Sequence, residues 1–261
     1  MAQPELAANA LMDELMEQCQ RFYYQLGPFS TLSEFEKARI DRDIQIKIHD
    51  LSKLSKGLSH SAMMFHQAAL GNEKKMTEEH MKSLNYVSGQ SANVNYAARL
   101  NLIGHTKKAI EVLETYLESN APTMTVIWLL SMFYRAIGLF SEDVKLMKTY
   151  SKLNTPQLDA HLPVMEALEF YLIEHEITQE ETEHYFTIVN TYFNSHRIDK
   201  YIVSRDIMKD DEDESWVSTR YQIQDDLTSE QIHSMNLGLL KLLAESDISD
   251  KAFDHFITSI Y

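Results

Sequence analysis

The chain has 261 residues, with 39 Asp and Glu against 24 Lys and Arg, and a formal charge of -15 at pH 7. Phosphate contacts need Lys and Arg, so this balance argues against binding to nucleic acid or an anionic membrane surface and for neutral or basic partners. Only seven Gly and five Pro mean few turns and long helices, in one extended array or two modest domains.

From Pro4 to Leu26 the apolar residues Leu11, Leu15, Cys19, Phe22 and Leu26 recur at helical spacing, and Gly27-Pro28 ends the run. Thr31 with Glu34 makes a capping box for a second helix in which Ile40, Ile44, Ile48 and Leu51 share a face. The alternation Ile44, Ile46, Ile48 also fits a short strand, but the flanking charges favour helix. Residues 4–55 therefore read as a helical hairpin. Cys19, the single cysteine, excludes an intramolecular disulfide and suits a reducing compartment. Glu5, Asp13 and Glu14 do not fit a signal peptide, and no apolar run approaches the length of about 18 residues that spans a membrane, so the expected location is the cytoplasm.

Residues 57–153 carry three glycines, Gly71, Gly104 and Gly138, spaced by 33 and then 34 residues. Each closes one amphipathic segment and opens another. Before Gly138 stand Ile127, Trp128, Leu130, Ser131 and Tyr134, and after it Phe140, Val144, Met147 and Tyr150. Around Gly104 the same grammar places Tyr96, Ala97 and Leu100 before, Ala109, Leu113 and Tyr116 after, and Pro122 at the end. Around Gly71, Met63, Met64 and Gln67 are followed by Met76, His80 and Ser83. A period near 34 belongs to stacked two-helix units.

These positions resemble the tetratricopeptide repeat over about 100 residues, with Ala97, Gly104, Ala109, Pro122, Ser131, Tyr134 and Gly138 fitting best. A small residue lets paired helices approach, Gly takes the positive φ of a helix C-cap, and Pro stops the second helix. Asp143 and Tyr150 depart from the pattern, standing where small alanines are usual, and the unit of Gly71 lacks Pro. The resemblance implies a mainly α fold, an α-solenoid of antiparallel helix hairpins. It also implies a concave groove lined by Ser61, Phe65, Val94, Ala98, Asn101, Trp128, Met132 and Arg135. Family members that clamp a terminal carboxylate use several Lys, Arg and Asn there, more than this chain offers. Phe65, Trp128 and Met132 instead suit an apolar or amphipathic peptide.

After Asn154-Thr155-Pro156, residues 157–175 and 179–195 read as a degenerate fourth pair without a glycine turn, its second helix capped by Thr178 and Glu181. Residues 1–198 thus form the helical-repeat domain. Near Asp199 the character changes: β-branched and aromatic segments around Tyr201 and Trp216 flank the acidic run Asp210, Asp211, Glu212, Asp213, Glu214 and read as a β-hairpin. Two helices follow, one capped by Thr228 with Gln231, the last capped by Ser249 and carrying Phe253, Phe256 and Ile257. Residues 199–261 are either a small α+β module or a cap on the solenoid.

No motif points to catalysis or to a cofactor. GxSxG, P-loop and GxGxxG patterns are absent. Glu181 with His184 and Glu230 with His233 have the spacing of di-iron helices, but both pairs lie in capped first turns where Glu serves the helix N-terminus, so no metal is expected. The acidic run lacks the glycine and distal Glu of a calcium loop. The expected function is non-enzymatic binding of an apolar or basic segment of a partner protein, as adaptor, regulator or dedicated chaperone. Acidic three-repeat chaperones of bacterial secretion are similar, though the extra terminal parts depart from them. Alternatives are an acidic inhibitor or nucleic-acid mimic and, further off, a metal-dependent enzyme.

Overall fold

A computed structural model describes residues 3–153, 155–198, 201–212, 214–224 and 227–261. Asn154, Asp199 and Asp213 lie outside the described residues. Among the described residues 72% are helical, in twelve α-helices and one 3-10 turn, with a three-stranded sheet toward the C-terminus. It divides into two compact units, Met1–Asn120 with Ser195–Arg197 and Ala121–Asn194 with Ile198–Tyr261.

The first unit contains α1 (Gln3–Gln25), α2 (Glu34–Leu54), α3 (Lys56–Ala69), α4 (Glu73–Ser83), α5 (Gly89–Leu102) and α6 (Thr106–Ser119). Helix α1 buries Ala8, Met12, Leu15, Cys19 and Phe22, at alternating spacings of four and three. Helix α2 is capped by Ser33 with Glu36 rather than by Thr31 with Glu34, since Glu36 accepts from the Ser33 N–H at 2.9 Å while the Ser33 hydroxyl accepts from the Glu36 N–H at 3.3 Å. Its Ile44 and Ile48 are buried and Ile46 is 52% exposed. A strand would have put all three on one face, so the helical reading stands. Helix α3 packs against α1, α2, α4 and α5. His66, wholly buried on α3, bonds Asp41 of α2 through Nε2 at 2.7 Å and stacks on Phe22 of α1.

In the second unit, α7 (Met124–Ala136), α8 (Phe140–Thr149), a 3-10 turn (Ser151–Leu153), α9 (Pro156–Glu174) and α10 (Gln179–Ser195) precede β1 (Tyr201–Lys209) and β2 (Ser215–Ile223). Then come α11 (Ser229–Glu245), α12 (Asp250–His255) and β3 (Phe256–Ile260). The hairpin β1–β2 is antiparallel and regular from Tyr201↔Ile223 to Lys209↔Ser215. The expected final helix stops early: Phe256 and Ile257 belong to β3, parallel to β2. Phe-Ile-Thr-Ser-Ile alternates buried ends with a more open middle, a period that suits a strand. Val217, Tyr221, Phe256 and Ile260 point into a core shared with Tyr185, Phe186 and Phe193. Asn236 of α11 covers the edge of β3, donating to the Ile260 carbonyl at 2.6 Å and accepting from its N–H at 2.9 Å.

One turn recurs through both units. Gly71, Gly104 and Gly138 have φ of 71°, 88° and 77°. Each donates to the carbonyl three residues back, while the next residue reaches the carbonyl five back, as Asn72 does to Gln67 at 2.9 Å. Between α9 and α10 the same role falls to Glu176, with φ of 52° and the Ile177 N–H on the Leu172 carbonyl at 2.8 Å. The fourth pair thus turns as the others do, with a strained residue in place of glycine.

Candidate functional site

The eight residues expected to line a groove take three different environments. On α3, Ser61 and Phe65 are buried. Ser61 donates to the Gly57 carbonyl at 3.2 Å, and Phe65 lies beneath the Arg99 guanidinium, 4.3 Å from Cζ to ring centroid. Both are core residues and not groove lining, because α1 and α2 pack over the helix on which they sit. On α5, Val94, Ala98 and Asn101 are half-buried at helical spacing, and Asn101 accepts from Thr106 at 2.9 Å, tying α5 to α6.

On α7 the outcome differs. Trp128 and Met132 are 40% and 37% exposed, and Met124, one turn earlier, is 54% exposed. Spacings of four and four set these three large apolar side chains along one side of the helix, opposite a buried side built from Val126, Ile127, Leu130, Phe133 and Tyr134. Thioether and indole together make an adaptable apolar strip.

Arg135 ends that strip, but it is already engaged. Its Nε donates to the Ser131 carbonyl at 3.2 Å and lies 3.5 Å from Oδ2 of Asp143, whose side chain is wholly buried on α8. Arg205 of β1 donates to the Arg135 carbonyl at 3.0 Å, with its Cζ 5.3 Å from the Phe140 ring centroid and 5.1 Å from that of Phe186. Burial pushes the Asp143 carboxyl up to about 6, against the pull of Ser131, Arg135 and Arg205. Burial likewise holds both guanidinium groups below their usual range. Asp143 therefore stands at a small-residue position because it meets two arginines. Its one sequence signal is that departure from the repeat pattern. Arg205 announced itself only as one residue of an alternating strand.

A second polar network fastens α9 to the sheet. Tyr171 donates to the Ser215 carbonyl at 2.6 Å, so its oxygen accepts from Nδ1 of His255 at 2.7 Å. His175 donates from Nδ1 to the Tyr171 carbonyl at 2.9 Å, leaving Nε2 to accept from the Ser215 hydroxyl at 3.2 Å. This cluster joins α9, β2 and α12, and no sequence pattern foretold it.

Of the groups weighed for chemistry, Glu181, Asp210 and Cys19 serve the fold. The Glu181 carboxylate accepts from the Thr178 N–H at 2.8 Å and caps α10, a bond that lowers its pKa. Asp210 receives the N–H groups of Glu212 and Glu214 at 2.9 Å each, closing the hairpin loop. The Cys19 thiol is pushed up to about 12 by burial, so it is inert packing. Among the described residues no three His, Cys, Asp or Glu side chains are placed to hold a metal ion. A hollow of about 420 Å³ between α1 and α2 has Ile40, Ile44 and Ile46 in its wall, and its cations, Arg21 and Lys47, pair with Glu17 and Glu14.

No family model, curated protein or solved structure matches the chain. Among the described residues, no helix is long and apolar enough to cross a membrane.

Proposed function

We propose that this is a non-enzymatic helix-hairpin repeat protein of the tetratricopeptide kind, an α-solenoid that holds an apolar or amphipathic segment of a partner protein against α7. It acts as an adaptor, regulator or dedicated chaperone in the cytoplasm. The observation that carries this reading is the alignment of exposed Met124, Trp128 and Met132 on the helix that opens its pair. An isolated exposed apolar residue is ordinary, whereas three in line on one helix side mark a contact surface. The four like turns at 71, 104, 138 and 176 support the repeat, and the charge of -15 favours a partner segment with Lys or Arg at its borders.

The test begins with proteins recovered on the full chain from its native cells. A recovered partner is purified and its affinity measured against the unmodified chain and against Trp128→Ala with Met132→Ala. Truncating two central anchors is expected to weaken binding at least tenfold, about 1.4 kcal/mol or more. Affinity unchanged within twofold, with the fold intact, would show that α7 is not the interface. Loss of binding with rising salt, indifferent to the α7 substitutions, would favour the acidic-inhibitor reading instead.

A further inference from the structure

Helix α9 is apolar on both of its sides, and only one side is used by the fold. Leu158, Met165, Leu168, Tyr171 and Leu172 are buried. Away from them, Ala160, Pro163, Ala167, Phe170 and Ile173 are all exposed, Phe170 at 67% and Ile173 at 71%. Asp159, Glu166 and Glu174 are exposed among them, so the outer side of α9 mixes large apolar groups with carboxylates. Here the small Ala160, Pro163 and Ala167 leave room for close approach of another backbone, with Phe170 and Ile173 as side-chain anchors beside them.

The charges on α9 say what covers this face. The helix carries Asp159, Glu166, Glu169 and Glu174 and no Lys or Arg. Lys148 of α8 reaches Glu166 at 2.8 Å, so cations already approach this border. A second copy of the chain would set four carboxylates against four more, and an anionic membrane would meet the same repulsion. A helix with an apolar stripe bordered by Lys or Arg meets both the shape and the charge. We infer that the outward face of α9 is a docking strip for a basic amphipathic helix of a partner protein. This surface is separate from the α7 strip, and either can fail without the other.

The probe is an 18-residue synthetic helix of Leu and Lys with its leucines on one side, titrated into the full chain by fluorescence anisotropy at physiological salt, beside a Leu and Glu counterpart. The Leu/Lys helix is expected to bind and the Leu/Glu helix not to bind. Phe170→Ser with Ile173→Ser, both exposed, should keep the helical circular dichroism and lose at least tenfold in affinity. Glu174→Lys alone should lose several-fold, and Trp128→Ala with Met132→Ala should change affinity less than twofold. The assignment is overturned if the Leu/Lys helix does not bind. Equal binding to the Phe170, Ile173 double variant, which would show attraction to net charge alone, also overturns it. So does sedimentation showing a dimer that those same substitutions dissolve, since a second copy would then occupy the face.

Discussion

Both units are mainly helical but they finish their surfaces differently. Among the described residues, the first unit leaves seven large hydrophobic side chains exposed, scattered over α1, α2, the end of α3, α4 and the loop before α5; the second leaves fifteen, and on α7 three of them fall into line. The first hairpin shows why. Helices α1 and α2 cover α3, so Phe65 and nearly all of that helix are buried. Among the described residues, Met124, Trp128 and Met132 of α7 and Phe170 and Ile173 of α9 stay exposed. A repeat pattern tells which residues face outward from a pair, and the neighbouring chain decides whether that face stays open.

Their interiors differ as well. Buried histidines in the first unit are held neutral: burial takes His80 down to about 4, and burial lowers His66 despite the Asp41 carboxylate. In the second unit burial raises the Asp143 carboxyl to about 6, against the pull of two arginines. These differences give opposite responses to pH, and they can be broken one residue at a time.

The largest effect is expected at Gly138, where an added Cβ would stand 2.7 Å from Phe186 and 2.9 Å from the Thr182 carbonyl, at a φ of +77°. Gly138→Ala combines left-handed strain with overpacking and should cost about 3 kcal/mol, read as a lower urea midpoint. Trp128 and Trp216 both lie in the second unit, so tryptophan fluorescence follows its unfolding.

Next comes His80, whose folded pKa of about 4 lies below its ordinary 6.5. As pH falls through 6.5 the unfolded chain takes up a proton that the folded chain refuses, so stability is lost. Between pH 7 and 5 the unmodified protein should lose about 2 kcal/mol relative to His80→Gln in denaturant titrations followed by circular dichroism.

Asp143 carries the opposite sign. Its folded pKa of about 6 exceeds the ordinary 3.8, so the folded chain gains a proton first and stability rises as pH falls through 6. Relative to Asp143→Asn, the unmodified protein should gain about 1 kcal/mol between pH 7 and 5, read by fluorescence. A change of the same sign at His80 and Asp143 would break the contrast between the two interiors.

Gly71 sharpens the comparison with Gly138. Its Cβ would meet only the Arg197 guanidinium, at 4.0 Å, so Gly71→Ala should cost about 1 kcal/mol, from backbone strain alone. Smallest of all, Trp128→Ala should shift the thermal midpoint by the equivalent of less than about 0.5 kcal/mol, since its side chain is not part of the core.

What could be read in the sequence was local. Helix periodicity, the boxes at Thr178 with Glu181 and Thr228 with Gln231, and the three glycine turns depend on residues a few places apart, and the structure agrees on each. Glu176 was invisible as a turn because only tertiary packing holds a glutamate at positive φ. Strand β3 was read as helix because its pairing partner, β2, lies more than thirty residues away. The same distance hid Arg205 beside Asp143, Phe65 beneath Arg99, and the exposure of Phe170 and Ile173. Of the expected groove, Trp128 and Met132 are exposed, whereas Ser61 and Phe65 are interior.

The most direct measurement is amide hydrogen exchange of the full chain, alone and saturated with its purified partner. Binding through α7 predicts slowed exchange across Met124–Ala136, with the buried α3 unchanged. Saturation that leaves Met124–Ala136 exchanging as in the free protein would contradict the account.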